Sequence, residues 1–299
     1  MANNLSPFSK TFLIWDVETV STITDTLTQP PVAKPVPFNV FASNFSDLPS
    51  PSGIISIPVP VYATSADDLS SGPVFTDAQP NNYQLTVNRD AGKFYKWNPA
   101  EAQQYGSEYI VKSYILPPIY AIDSTLNSAS FALLNSFPTS SVKPATATAM
   151  SASTALQFKS AMGNAGINGD QFMVLNTSYF WNGLVNDLSN KGNSVGAAAV
   201  TNGSPNNPFG MVTVEGQTLP TAGNLVGFCG NKSAIAIGTA IPNVQHANGE
   251  QFVYKSPWTG VNYLVEHYFD ESRRANVIGA SVLYNVAVVN PAILRIVSS

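Results

Sequence analysis

Two runs decide the reading of this chain: GIISIPVPVY at 53–62 and YQLTVNRD at 83–90. In the first, Ile55, Ile57, Val59 and Val61 alternate with smaller residues or Pro; in the second, Tyr83, Leu85 and Val87 alternate. Period two is the signature of a strand. Pro58 and Pro60 remove backbone donors, which places the first run at a sheet edge. Between them lie about twenty residues of turn chemistry, ATSADDLSSGPVFTDAQPNN (63–82), without Lys or Arg. The pair predicts a long hairpin. Such a ribbon has almost no core of its own. It is expected to be held by another surface, most simply a second copy of the chain.

A polar bridge, AGKFYKWNPAEAQQYGSEYI (91–110), follows the hairpin and feeds a different period. Ile110, Tyr114, Ile119, Ile122, Leu126, Ala129 and Leu133 recur at three to five residues, which predicts an amphipathic helix with Ile122 and Leu126 facing the core. Pro117 and Pro118 interrupt it. Interior Pro costs about 3 kcal/mol or more, whereas a first turn accepts it, so a kink or restart at Pro118 is expected.

Upstream, Pro30, Pro31, Pro35, Pro37, Pro49 and Pro51 join Pro58 and Pro60 in an extended stretch. It reads as an arm travelling along a surface, or as a plain surface linker. FLIWDVETV (12–20) is a short strand or one helical turn. Downstream, PTSSVKPATATAM (138–150) is a small-residue crossover loop. A helix is expected over 154–166, with Leu156, Met162 and Ala165 as its apolar residues and Gly163 or Gly166 at its end. Phe172 to Leu175 is a continuous apolar run, hence a buried strand. Asn176, Thr177 or Ser178 caps a helix carrying Tyr179, Phe180 and Leu184. GMVTVEG (210–216), NLVGFCG (224–230), SAIAIGTAI (233–241) and FVYKSPW (252–258) read as short strands, and NYLVEHYFD (262–270) and VIGASVLYNVAVVN (277–290) as two more, followed by AILRIVSS (292–299). The class is α+β.

Composition narrows the function. Of 299 residues only 11% are charged, against about 25% in ordinary soluble domains. Low charge leaves little repulsion between copies and suits a surface covered in an assembly, although abundant Ser, Thr, Asn and Gln also supply a polar exterior. Net charge is −4 and no basic block occurs, which argues against tight phosphate binding. MANNLSPFSK lacks the pattern of a signal peptide, and no run of 18 apolar residues occurs, so no membrane partner is expected.

Catalytic motifs are missing. The two His, His246 and His267, form no HExxH, and one Cys forms no CxxC, so no metal and no cofactor is expected. There is no GxSxG elbow and no phosphate loop; GNAGINGD (163–170) precedes a strand and reads as a turn. Cys229 with either His is a conceivable dyad, against the plainer reading of a core thiol. Asp67 and Asp68 are adjacent, which points them to different sides and excludes a glycosidase pair. Arg273 and Arg274 suit an anion, or pair locally with Asp270 and Glu271.

Three stretches together resemble the Hong Kong 97-type major capsid protein of tailed bacteriophages. AGKFYKWNPAEAQQYGSEYIVKSYILPPIYAIDSTLNSASFALL (91–134) is similar to that family's return strand and spine helix. ALQFKSAMGNAGINGDQFMVLNTSYFWNGL (155–184) is similar to the helix, buried strand and helix of its axial domain. DESRRANVIGASVLYNVAVVNPAILRIV (270–297) resembles its long peripheral strand, Pro-marked step and terminal strand. The Pro117–Pro118 pair and the Pro-rich arm depart from the pattern.

The resemblance implies an arm at 1–50, an extended hairpin (E-loop) at 51–97, and a peripheral domain with the spine helix at 98–138. It further implies an axial domain at 139–262, peripheral closing strands at 263–290 and a terminal strand at 291–299. It implies hexamers and pentamers in an icosahedral virion shell around double-stranded DNA, assembled in host cytoplasm, with portal and decoration proteins as partners. No long charged segment precedes the arm, so scaffolding is expected from a separate protein or from none. Charges between Lys34 and Arg89 are Asp47, Asp67, Asp68 and Asp77 alone, so Asp67 and Asp68 are candidates to meet Arg273 and Arg274 of a neighbour. The rivals are an all-β phage tail, fibre or adhesin protein, and a Ser or Cys hydrolase using Cys229 or a Ser with His246.

Overall fold

The computed structural model describes residues 33–46, 53–59, 81–97, 111–190, 208–220, 222–244 and 249–299. Its axis is β11 (Ala275–Val288), a strand of 14 residues. Antiparallel β10 (Asn262–Asp270) covers one edge, and β9 (Gly249–Lys255) extends the sheet beyond it. The other edge is shared end to end. β4 (Arg89–Trp97) pairs with 276–284, and β8 (Ile235–Ala240) pairs with 283–288. β1 (Ser43–Ser46) runs parallel to β8 as the far edge.

A second sheet has the order β12 (Ile293–Val297), β7 (Leu225–Asn231), β5 (Gln171–Leu175), β6 (Val212–Glu215), with only the β5–β6 pair parallel. β7 and β8 are consecutive yet lie in different sheets, joined by a 3-10 turn at Lys232–Ala234 in which the Asn231 side chain accepts the Ser233 N–H at 2.8 Å. β8 and β9 therefore share a sheet with β10, whereas the expected axial block, 139–262, grouped them with β7.

Both sheets close on one aromatic core. Helix α1 (Phe38–Phe41) contributes Phe38 and Phe41, and α2 (Leu116–Ala132) contributes Ile119, Ile122, Leu126 and Phe131. Phe41, Phe131, Phe172 and Phe228 meet edge to face or tilted, with most centroids 5.6 to 5.8 Å apart. Such pairs add about 0.5–1.5 kcal/mol each beyond their burial. A second core lies between the four-stranded sheet and α3 (Ala152–Asn164), built from Met150, Phe158, Met162, Met173, Leu184, Cys229 and Ile296.

The proline pair acts as a restart. One π-helical turn, Val111–Ile115, precedes α2, and Pro117 and Pro118 occupy its first turn, where their missing N–H groups have no intrahelical partner to lose. Helix α3 starts where the Ser151 hydroxyl accepts the Thr154 N–H. Of the apolar residues read on this helix, Met162 is buried whereas Leu156 and Ala165 are exposed. Ala155, Phe158 and Met162, three and four apart, define the buried face, and Leu156 lies about 100° around the helix from Ala155. Asn176 caps the following turn, accepting the Tyr179 N–H at 3.1 Å; a π-helical segment, Tyr179–Val185, then leads into α4 (Asn186–Asn190).

Two expectations change near the hairpin. AGKFYKW is no bridge. It is β4, the return strand that the resemblance implied and the residue pattern did not, with Ala91 and Trp97 packed into the main core and Phe94 laid over Gly279 on the opposite face. The ribbon of β2 (Ile54–Val59) and β3 (Asn81–Thr86) forms in the register Ile55↔Leu85 and Ile57↔Tyr83. Its base, however, is not coreless. Ile55, Ile57, Leu85 and Val87 are buried against Ala236, with Phe45, Leu283 and Ala287 around them. The chain thus anchors the foot of the ribbon on its own sheet.

The described part of the 1–50 arm, 33–46, is tied to that frame through α1, β1 and the hydrogen bonds of 33–37. Tyr120 donates its O–H to the Ala33 carbonyl at 2.8 Å. The Lys34 N–H donates to Gln217 Oε1 at 2.8 Å and the Val36 N–H to Asn127 Oδ1 at 3.2 Å. FLIWDVETV lies outside the described residues. The presence of α2 and α3 removes the all-β alternative.

Candidate functional site

The ribbon foot is the first candidate. Gly238 on β8 leaves a shallow seat. A Cβ built there would stand 2.8 Å from Leu85 Cδ2, 2.9 Å from Ile55 Cδ1 and 3.0 Å from Val87 Cγ2. Only a residue without a side chain lets all three settle on the strand. Asn285 Nδ2 donates to the Thr86 carbonyl at 2.6 Å, and the Val87 N–H to the Gly53 carbonyl at 2.7 Å, which closes the base. Asp67, Asp68 and the rest of the ribbon's far end lie outside the described residues.

Arg273 and Arg274 sit in the exposed turn between β10 and β11. Asp270 organises that turn. It accepts the Ser272 O–H at 2.6 Å, the Ser272 N–H at 2.9 Å and the Arg273 N–H at 3.1 Å, and Arg273 Nε lies 3.8 Å from its other oxygen. The Ser272 hydroxyl, followed by the Arg273 N–H, holds the Asp270 carboxyl below the usual range. Arg274 takes a left-handed backbone, φ 47°, to complete the reversal. Arg273 is thus engaged with its own strand, as the plainer reading had it. A second basic set, missed because 91–97 read as a bridge, is Arg89, Lys93 and Lys96 on exposed β4.

The nucleophile candidates are separated. Cys229 on β7 is fully buried in the second core, and burial pushes its thiol up to about 12. His267 on β10 packs edge-on to Trp97, with ring centroids 5.0 Å apart, and burial lowers its pKa. The structure does not bring these two together; His246 lies outside the described residues. The thiolate is the reactive form. Native protein should therefore resist thiol labelling at neutral pH, and denatured protein should label fully. Labelling of native protein at the denatured rate would show that Cys229 is accessible. Among the described residues no group of three or more His, Cys, Asp or Glu is placed to hold a metal ion, and no helix is long and apolar enough to cross a membrane.

One buried carboxylate escaped the sequence reading. Asp123 on α2 is fully buried. It accepts the Ser256 and Tyr263 hydroxyls, each at 2.5 Å, and the Thr259 hydroxyl. Burial raises its carboxyl to about 6, against the lowering effect of those three hydrogen bonds. Tyr263 is pushed well up, by burial first and then by Asp123.

No family model matches the chain, and no curated protein matches it. Solved structures do. One from Mycobacterium phage Che8 is 14% identical over 91% of this chain and 94% of that one, with a TM-score of 0.57. The capsid of the cyanophage P-SCSP1u is 11% identical over 92% and 91%, with a TM-score of 0.56. The capsid of an empty GTA particle is 11% identical over all of both chains, with a TM-score of 0.52. The architecture of this chain is the Hong Kong 97-type capsid fold, with extended hairpin, spine helix α2 and two sheets.

Proposed function

We propose that this chain is a major capsid protein, which self-assembles as hexamers and pentamers into the icosahedral shell around a double-stranded DNA phage genome. The observation that carries this reading is the correspondence of fold over nine-tenths or more of the chain with capsid subunits. A ribbon whose foot is seated on its own sheet agrees with it. In this reading the hairpin reaches across a neighbour while the described part of the 1–50 arm, 33–46, packs on its own subunit; the sheet of β11 with α2 is the peripheral domain, and the sheet of β7 with α3 is the axial domain. The work is structural and not enzymatic. Its partners are its own copies, a portal and a decoration protein, with scaffolding from a separate protein or from none, and its location is the virion, after assembly in host cytoplasm.

A net charge of −4 suits a wall that contains DNA without gripping it, since gripping requires many phosphate contacts from Lys and Arg. The acidic ribbon segment carrying Asp67 and Asp68 would meet basic residues of a neighbour. Arg274 and the β4 set are better placed to receive it than Arg273, which Asp270 already engages. Sedimentation and negative-stain imaging of purified protein test the proposal. Capsomers or shells are expected, and a 31.8 kDa monomer persisting across concentration and salt would overturn it.

A further inference from the structure

Asp123 stands where three parts of the chain meet. Its helix, α2, faces the 256–260 turn between β9 and β10, and β10 itself through Tyr263. Four residues on, Asn127 donates to the Asp123 carbonyl at 3.2 Å and accepts the Val36 N–H, so the same helix face holds the arm. Trp258 of the turn packs edge-on to Tyr120 of α2, with ring centroids 5.7 Å apart, and Tyr120 in turn bonds the Ala33 carbonyl.

We propose that Asp123 is a proton-operated latch, whose protonation tightens the union of α2 with the 256–260 turn and, through it, the seat of the arm at 33–37. Among the described residues the geometry supplies three donors but no cation. The titratable groups on the surrounding elements are Tyr263, Glu266, His267, Tyr268 and Asp270 on β10, Glu250, Tyr254 and Lys255 on β9, Tyr120 on α2, Lys34 in the arm and Glu215 at the end of β6; of these only Tyr263 bonds Asp123. Ionised, the carboxylate is a buried charge met by neutral hydroxyls alone, an arrangement that burial penalises.

The hydroxyl network also decides where the proton goes. Ser256 Oγ accepts the Trp258 N–H at 3.1 Å and the Thr259 N–H at 3.2 Å. Both its lone pairs are used, so its own proton must point to Asp123 Oδ2. The incoming solvent proton therefore takes Oδ1, which faces Thr259 and Tyr263. It is donated to one of those two oxygens, whose own proton turns aside. Three contacts remain and the buried charge is gone.

The folded carboxyl titrates at about 6 and an unperturbed one at 3.8, so the folded state binds the proton more tightly between those values. Stability from this group is therefore greatest below the window and is lost as pH rises through it, by up to about a hundredfold in the opening equilibrium. Hydrogen exchange on the full chain, corrected for intrinsic rates, reads this directly. Protection of 119–127 and 255–263 should rise by up to about a hundredfold from pH 7 to pH 4, and D123N should flatten that rise. Y263F removes one donor to the ionised form and should move the midpoint to higher pH. It also stands alone if D123N does not fold. A wild-type pH profile in D123N, or an unmoved midpoint in Y263F, overturns the proposal.

Discussion

Leu126→Asp should yield no folded protein. Leu126 is fully buried in α2, inside the core that both sheets share. Losing the leucine forfeits about 1.5–3 kcal/mol of burial. The new carboxylate then faces hydrocarbon, and an unpaired buried charge costs several kcal/mol more. Together these consume most of the roughly 5–15 kcal/mol by which a domain is stable. Asp123, one turn earlier, is tolerated because three hydroxyls converge on it, whereas position 126 sits among apolar side chains. Leu126→Ala, at about 2–5 kcal/mol, should fold with a lowered melting temperature and serves as the control. Soluble Leu126→Asp protein melting like the wild type would mean that α2 does not carry the core.

Gly238→Val should unseat the ribbon while leaving both sheets intact. Three side chains already occupy the space that its Cβ alone would need. Any one could move, but Ile55, Leu85 and Val87 press from both strands of the ribbon, so relief requires the foot to lift. Overpacking of this kind costs about 1–3 kcal/mol, which corresponds to a roughly 5- to 150-fold rise in local opening. Exchange at 53–59 and 81–87 should quicken by that factor, with 116–132 unchanged. If the ribbon reaches a neighbour as proposed, shell yield should fall with it, because a loose foot leaves the direction of that reach unfixed. Wild-type exchange at 53–59 in the variant would exclude Gly238 as the seat.

The contrast between β10 and β4 explains what sequence reasoning reached. NYLVEHYFD was legible as a strand over its full length, 262–270, because a run rich in aromatic and branched apolar residues suits a pleated, largely buried position. β4 was not, because Lys93 and Lys96 make it read as polar and its outward Phe94 relies on Gly279 of a strand that follows nearly two hundred residues later. The ribbon was found from its own alternation, but its foot is buried by β8 and β11, which no local pattern announces. Leu156 shows the same limit in miniature: its type says inward and the phase of α3 says outward. Asp123 was hidden most completely. With Ser124 and Thr125 beside it, it reads as part of a solvated face, and its three partners lie 133, 136 and 140 residues away.

The end-to-end sharing of one β11 edge also has a mechanical consequence. β11 extends about 46 Å at roughly 3.3 Å per residue. β3 passes into β4 through Val87 and Asn88 alone, so tension on the ribbon enters β4 with almost no slack. Pulled along the strand axis, the nine register pairs from Arg89↔Tyr284 to Trp97↔Asn276 are strained together and yield together. Pulled outward from the sheet, they open one after another from Arg89. The same ladder is stiff against stretching within the plane of a wall and weak against peeling, so the direction of load decides whether the joint holds.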